Sequence, residues 1–117
     1  MSTKSNELNF DADRIIDALR IAMELDKRFG KERVEMRRSS HKGWHFRVKG
    51  RFSKRKIIKI REEIGDDRNR IKADKARVRI GARIGILFYY KNGKYAGKWE
   101  KLDLKKVWDW ACEKLGV

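Results

Sequence analysis

The sequence predicts an α+β domain: a β-α-β-β-α-β run folded as one open-faced antiparallel sheet with both helices on one side, extended by a C-terminal β-hairpin and helix. Three observations predict it. Apolar and polar residues alternate with period two over residues 7–12, 34–38 and 44–49. Helical spacing and stop signals mark residues 14–29 and 53–64. Asn92-Gly93 stands between two apolar runs, the strongest two-residue hairpin signal.

Taken in order, residues 1–6 are polar and expected to be disordered. Residues 7–12 put Leu8, Phe10 and Ala12 on one side and Asn9 and Asp11 on the other. Over 14–29, Ile15, Leu19, Ala22 and Phe29 recur at helical spacing, and Gly30 is the stop. Residues 34–38 and 44–49 alternate again around the polar turn 39–43 and read as a hairpin. The second helix, 53–64, has Ser53 as cap, Ile57, Ile60 and Ile64 inward, and Gly65 at its end. A short fourth strand is expected at 69–74. Residues 84–91 and 94–100 form the added hairpin, and Asp103 opens a last helix with Leu104, Val107, Trp108, Ala111 and Leu115 on one stripe. The arrangement is RRM-like.

The 117 residues make a single domain, 1–117, with no linker or repeat. No apolar run reaches the length of a membrane span, and the start lacks a signal-peptide core, so the chain reads as cytoplasmic with no membrane partner. One cysteine excludes an intrachain disulfide. Absence of Pro and Gln with abundant Lys, Arg, Glu and Ile suggests a thermophilic source. Lys and Arg number 32 against 17 Asp and Glu, a net charge of +15. Residues 31–61 hold 13 of the basic residues and only Glu32 and Glu35 as acids, with Trp44, Phe46 and Phe52 interleaved. That footprint points to DNA or RNA as partner, held by salt-sensitive phosphate contacts.

Alternation also decides which side chains share the open face. Asn9, Asp11 and Asp13 go outward from the first strand, Glu35, Arg37 and Ser39 from the second, His45, Arg47 and Lys49 from the third, and Lys72 and Asp74 from the expected fourth. Carboxylates two apart at a strand end can chelate Mg²⁺ or Mn²⁺, and a third from a neighbouring strand would complete a site for phosphoryl transfer. His45, Lys42, Arg37 and Arg47 would hold phosphate oxygens around it. Lys54 and Arg55 on the second helix would meet a nucleic-acid backbone.

Asp11-Ala12-Asp13 after a strand, then Ser39-Ser40-His41-Lys42-Gly43-Trp44-His45, then Asp74 after an apolar flank, resemble the three motifs of the archaeo-eukaryotic primase superfamily. The resemblance spans residues 7–77 and is nearest to the polymerase domain of bacterial end-joining ligases and to primase-polymerases of archaeal plasmids and viruses. It implies a primase-like palm with Asp11, Asp13 and Asp74 as catalytic metal ligands. It also implies Ser39 or Ser40, Lys42 and His45 as nucleotide-phosphate contacts, in nucleotidyl transfer during replication or repair.

Plainer readings stand beside these. Asp11 or Asp13 would equally cap the first helix, His45 would be a packing histidine, and Asp66, Asp67 and Asp74 would form salt bridges with Arg68, Arg70, Arg77 and Arg79. Trp99, Trp108 and Trp110 read first as core residues; Trp110, off the apolar stripe, would otherwise mark a dimer contact or a base-stacking surface. The alternative function is a non-catalytic DNA- or RNA-binding protein needing no cofactor.

Overall fold

In the computed structural model, which describes residues 6–40, 42–87, 89–91 and 93–117, three five-residue strands make up most of one antiparallel sheet. They are β1 (Leu8–Ala12), β2 (Val34–Arg38) and β3 (Trp44–Val48). β3 lies in the middle, pairing Phe10 with Phe46 on one side and Met36 with Phe46 on the other. Each strand alternates as the sequence requires. Leu8, Phe10, Ala12, Val34, Met36, Trp44, Phe46 and Val48 are buried together on the helix side. Burying a large apolar side chain is worth about 1.5–3 kcal/mol, so this layer drives the fold.

Helix α1 (Ile15–Phe29) packs on that layer through Ala18, Ile21, Ala22 and Leu25. A 3₁₀ turn at Lys31–Arg33 leads into β2. Helix α2 (Lys54–Ile64) starts on Ser53, whose Oγ accepts from the Lys56 N–H, and ends at the left-handed Gly65. Both signals are as the sequence predicts. Helix α4 (Leu104–Leu115) is capped by Asp103, which accepts from the Lys106 N–H, and it packs on α1.

The β-α-β-β-α-β order does not hold at its last position. Residues 69–74 are not a strand but part of helix α3 (Arg68–Arg79). Asp67 caps it, its carboxylate accepting from the N–H groups of Asn69 and Arg70 at 2.8 and 3.1 Å. The Ile71/Ala73 alternation misleads: the buried pair is Ile71 and Asp74, three apart on one helix face, and Ala73 is exposed. The fourth strand of the sheet is instead β6 (Glu100–Lys101), which adds to the edge of β2.

The hairpin around Gly93 forms, but β4 (Tyr90–Lys91) and β5 (Lys94–Tyr95) are only two residues each and stand apart from the main sheet. Asn92, half of the turn signal, lies outside the described residues, as do His41 and residues 1–5 of the segment expected to be disordered. Asn6 belongs to the structured part, since its side chain accepts from the Ile84 N–H at 3.1 Å. On α4 the inward stripe is Val107, Trp110 and Ala111; Trp108 is 55% exposed and Leu115 also faces out. Trp110 meets Trp44 edge-on, ring centroids 6.0 Å apart, so it is a core residue rather than an off-stripe contact. Among the described residues no helix is long and apolar enough to cross a membrane.

Candidate functional site

The second face of the sheet is where the sequence places its polar side chains, and there they are. Asp11 lies opposite His45 across β1 and β3, and Arg37 lies opposite His45 across β2 and β3. The face is not open, however. Asn9 is fully buried, His45 is 4% exposed and Arg37 7%.

Three elements close it. Asn9 donates to the Gly85 carbonyl at 2.6 Å and accepts from Arg70 of α3 at 2.5 Å. Gly85 fits because a β-carbon there would lie 2.5 Å from the Glu7 carbonyl oxygen, with φ at 74°. Trp99 covers the other end, with the Arg37 and Arg47 guanidiniums 4.4 and 4.1 Å from its ring centre.

Behind this face runs a buried ion network. The Arg61 side chain is fully buried; its Nε donates to Asp66 at 2.8 Å and its Nη1 to Asp74 at 2.5 Å. Arg70 adds a second cation to Asp66 at 2.8 Å, and Arg77 a second to Asp74 at 2.6 Å. The Gly85 N–H also donates to Asp74. Burial pushes the Asp74 carboxyl up, but the bonds from Arg61, Arg77 and Gly85 outweigh it, and its pKa ends below the usual range. Asp74 is therefore tied to arginines, as the salt-bridge reading anticipates, and does not join Asp11 and Asp13. Among the described residues no group of three or more His, Cys, Asp or Glu is arranged to hold a metal ion.

Asp11 and Asp13 border a cleft of about 560 Å³ shared with Arg14, Asp17, Asp66, Asp67 and Arg68. Neither caps α1: the cap position is Arg14, with no side-chain bond. The Asp11 N–H donates to Asp66 at 3.1 Å, while its own Oδ1 is buried with no hydrogen-bond partner. The nearest cationic candidate, His45 Nε2, stands 3.6 Å away.

Burial, with Asp13, Asp66 and Asp67 adding to it and Arg70 opposing, raises the Asp11 pKa to about 6. His45 is held neutral. Burial, with Arg37 and Arg70 nearby, takes its pKa down to about 3. Arg37 Nε donates to His45 Nδ1 at 3.0 Å, so the proton sits on Nε2. The imidazole is thus a spacer between Arg37 and Asp11 rather than an exposed phosphate contact.

These shifts make opposite pH predictions. Asp11 stabilises the fold fully below its unfolded value of 3.8, and that contribution is lost as pH rises through 6. His45 stabilises above its unfolded value of 6.5, and its share is lost as pH falls through 3. Asp11→Asn removes only the first effect. In chelator, urea unfolding should show the variant more stable than wild type by on the order of 2 kcal/mol near pH 7.5, with the gain gone near pH 4. A difference independent of pH would contradict the buried-carboxylate assignment.

The remaining expected phosphate contacts divide. Arg47 is answered by Glu35 at 2.8 Å and Glu7 at 3.8 Å. Ser39 Oγ accepts from the Gly43 N–H at 3.0 Å, holding the β2–β3 turn, and Ser40 is buried. Lys54 donates to the Ala82 carbonyl at 2.8 Å. Lys42, Lys49 and Arg55 are exposed. The sequence reading passed over a second feature: residues 75–99 contain seven Lys and Arg and no acid, with Tyr89, Tyr90, Tyr95 and Trp99 among them. A charge count along the chain would have found it. Searches against protein-family models, curated proteins and solved structures return no match for this chain.

Proposed function

We propose that this chain binds nucleic acid through the cationic surface running from the end of β3 over the outer face of α2. One observation carries the reading. Lys49, Arg51, Arg55, Lys56 and Lys59 are exposed, and no carboxylate among the described residues lies within ion-pair distance of them. The first turn of α2 has no acid, although the helix dipole favours one there. Cations gathered at a helix start, against that preference by about 0.3–1 kcal/mol each, suit a polyanion that neutralises them.

The test is a salt titration of binding to a labelled oligonucleotide by fluorescence anisotropy. Arg55→Gln, Lys56→Gln and Lys59→Gln combined should reduce the slope of log K against log salt by about two to three. An unchanged slope would remove α2 from the interface.

A second reading, a divalent cation at Asp11 and Asp13, is favoured by the buried, unpartnered Asp11 Oδ1. Two carboxylates fit such an ion as partial ligands; Asp74 does not, being held by Arg61 and Arg77. A bound cation there would neutralise phosphate charge, the chemistry nucleotidyl transfer needs. Millimolar Mn²⁺ should then raise the melting temperature of wild type and not of Asp11→Asn. An equal response in both proteins would end this reading, and with it a primase-like activity.

A further inference from the structure

On the polar face, across His45 from Asp11, a pocket of about 350 Å³ is lined by Arg37, Arg47 and Arg83, with Glu7, Tyr89 and Trp99. The fold answers only one of the three arginines. Arg47 meets two carboxylates. Arg37 is more than nine-tenths buried, yet no carboxylate among the described residues lies within ion-pair distance of it; Glu7, in the same pocket, acts on it only from farther away. Its Nε bonds neutral His45, and its plane lies over Trp99 and Tyr89, 4.4 and 5.7 Å from the ring centres. Arg83, exposed at the rim, also has no acid partner among the described residues.

A buried charge without a counter-ion in contact is costly, and aromatic faces recover only part of that cost. An anion that presents two oxygens side by side suits what is missing, because a guanidinium offers forked donors. Phosphate meets that description.

The rim adds a second element. Tyr89, Tyr90 and Tyr95 pack on one another, with Tyr95 ring-centred 5.4 Å from Tyr89 and 4.7 Å from Tyr90. All three are more than half exposed. Exposed aromatic rings beside cationic groups are what unpaired bases stack on; bases in a duplex already stack on each other and present no free face.

We propose that this part of the molecule binds single-stranded nucleic acid. A backbone phosphate sits against Arg37 and Arg83, and adjacent bases stack on the tyrosines of the β4–β5 hairpin. The inference rests on the nucleic-acid reading above but concerns a different surface and selects one strand form.

The test compares three labelled probes at one salt concentration: a single strand, the same sequence as duplex, and a strand of abasic sites with the same number of phosphates. Wild type should prefer the single strand over the abasic strand by about tenfold. Tyr95→Ala should abolish most of that preference, and Arg83→Gln should weaken the single and abasic strands alike; both are exposed positions whose replacement leaves the core intact, and both should leave duplex binding unchanged. Equal affinity for the single and abasic strands, or variants that bind all probes as wild type does, would overturn the stacking site while duplex binding persists. Failure to bind any probe would overturn this site and the nucleic-acid reading together.

Discussion

Arg61→Met is expected to remove about 3–5 kcal/mol of folding stability at neutral pH, a large share of what a domain of this size possesses. The volume is nearly kept, so the loss is electrostatic. With the guanidinium gone, Asp66 and Asp74 lose the cation that sits between them. Both are buried, and Arg70 and Arg77 answer each from one side only. Removing one partner from a buried ion network leaves charge that water cannot reach, which is more damaging than never having had the network. The deficit should shrink as pH falls toward 4, because the Asp74 carboxyl, no longer held down by Arg61, takes up a proton more readily in the folded state. Urea unfolding at neutral and acidic pH reads both effects. A loss under about 1 kcal/mol at neutral pH would contradict the network's role.

Gly43→Ala should cost about 3 kcal/mol or prevent folding. The reason is contact, not conformational freedom. A β-carbon on Gly43 would lie 1.8 Å from the Ala12 carbonyl oxygen and 2.8 Å from the Asp13 Cα. All the nearest atoms are backbone, so no side chain can swing aside. The β2–β3 turn is held to its own position by the Ser39 N–H donating to the Gly43 carbonyl and the Gly43 N–H to Ser39 Oγ, each at 3.0 Å. One methyl group therefore pushes the end of β1, and the acidic cleft with it, away from the hairpin. The shift in urea midpoint measures this; a change below about 1 kcal/mol would show that the strands separate freely.

Local chemistry explains what could be read in the sequence. Strand alternation is complete in Leu8–Ala12 and Trp44–Val48 and breaks in Val34–Arg38 only at Arg38, while Ser53, Gly65 and Asp103 carry their capping roles in their own side chains or backbone freedom. The pairing of Asp11 with His45 on one face followed from period two alone.

What could not be read depends on distant partners. Residues 69–74 contain one apolar alternation too short to distinguish a strand from the face of a helix, and the deciding groups are Asp67 at its start and Arg61 beneath it. Trp108 and Trp110 are two apart, so only one can face inward from a helix, and Trp44 selects Trp110. The closing of the polar face by Arg70, Gly85 and Trp99 joins residues 60 or more positions from β1 or β2, and it leaves no local pattern. That closure turns Arg37 and His45 from surface groups into buried ones.

On the proposed reading the middle of the polar face is structural, while nucleic acid meets the outer cations and the tyrosine hairpin. Amide chemical-shift mapping of the protein titrated with a short single strand tests it most directly. Shifts concentrated at Lys49, Arg55 to Lys59, Arg83 and Tyr89 to Tyr95, with Asn9, Asp11 and His45 unmoved, are the predicted result. Shifts centred on Asn9, Asp11 and His45, with α2 and the hairpin silent, would contradict it.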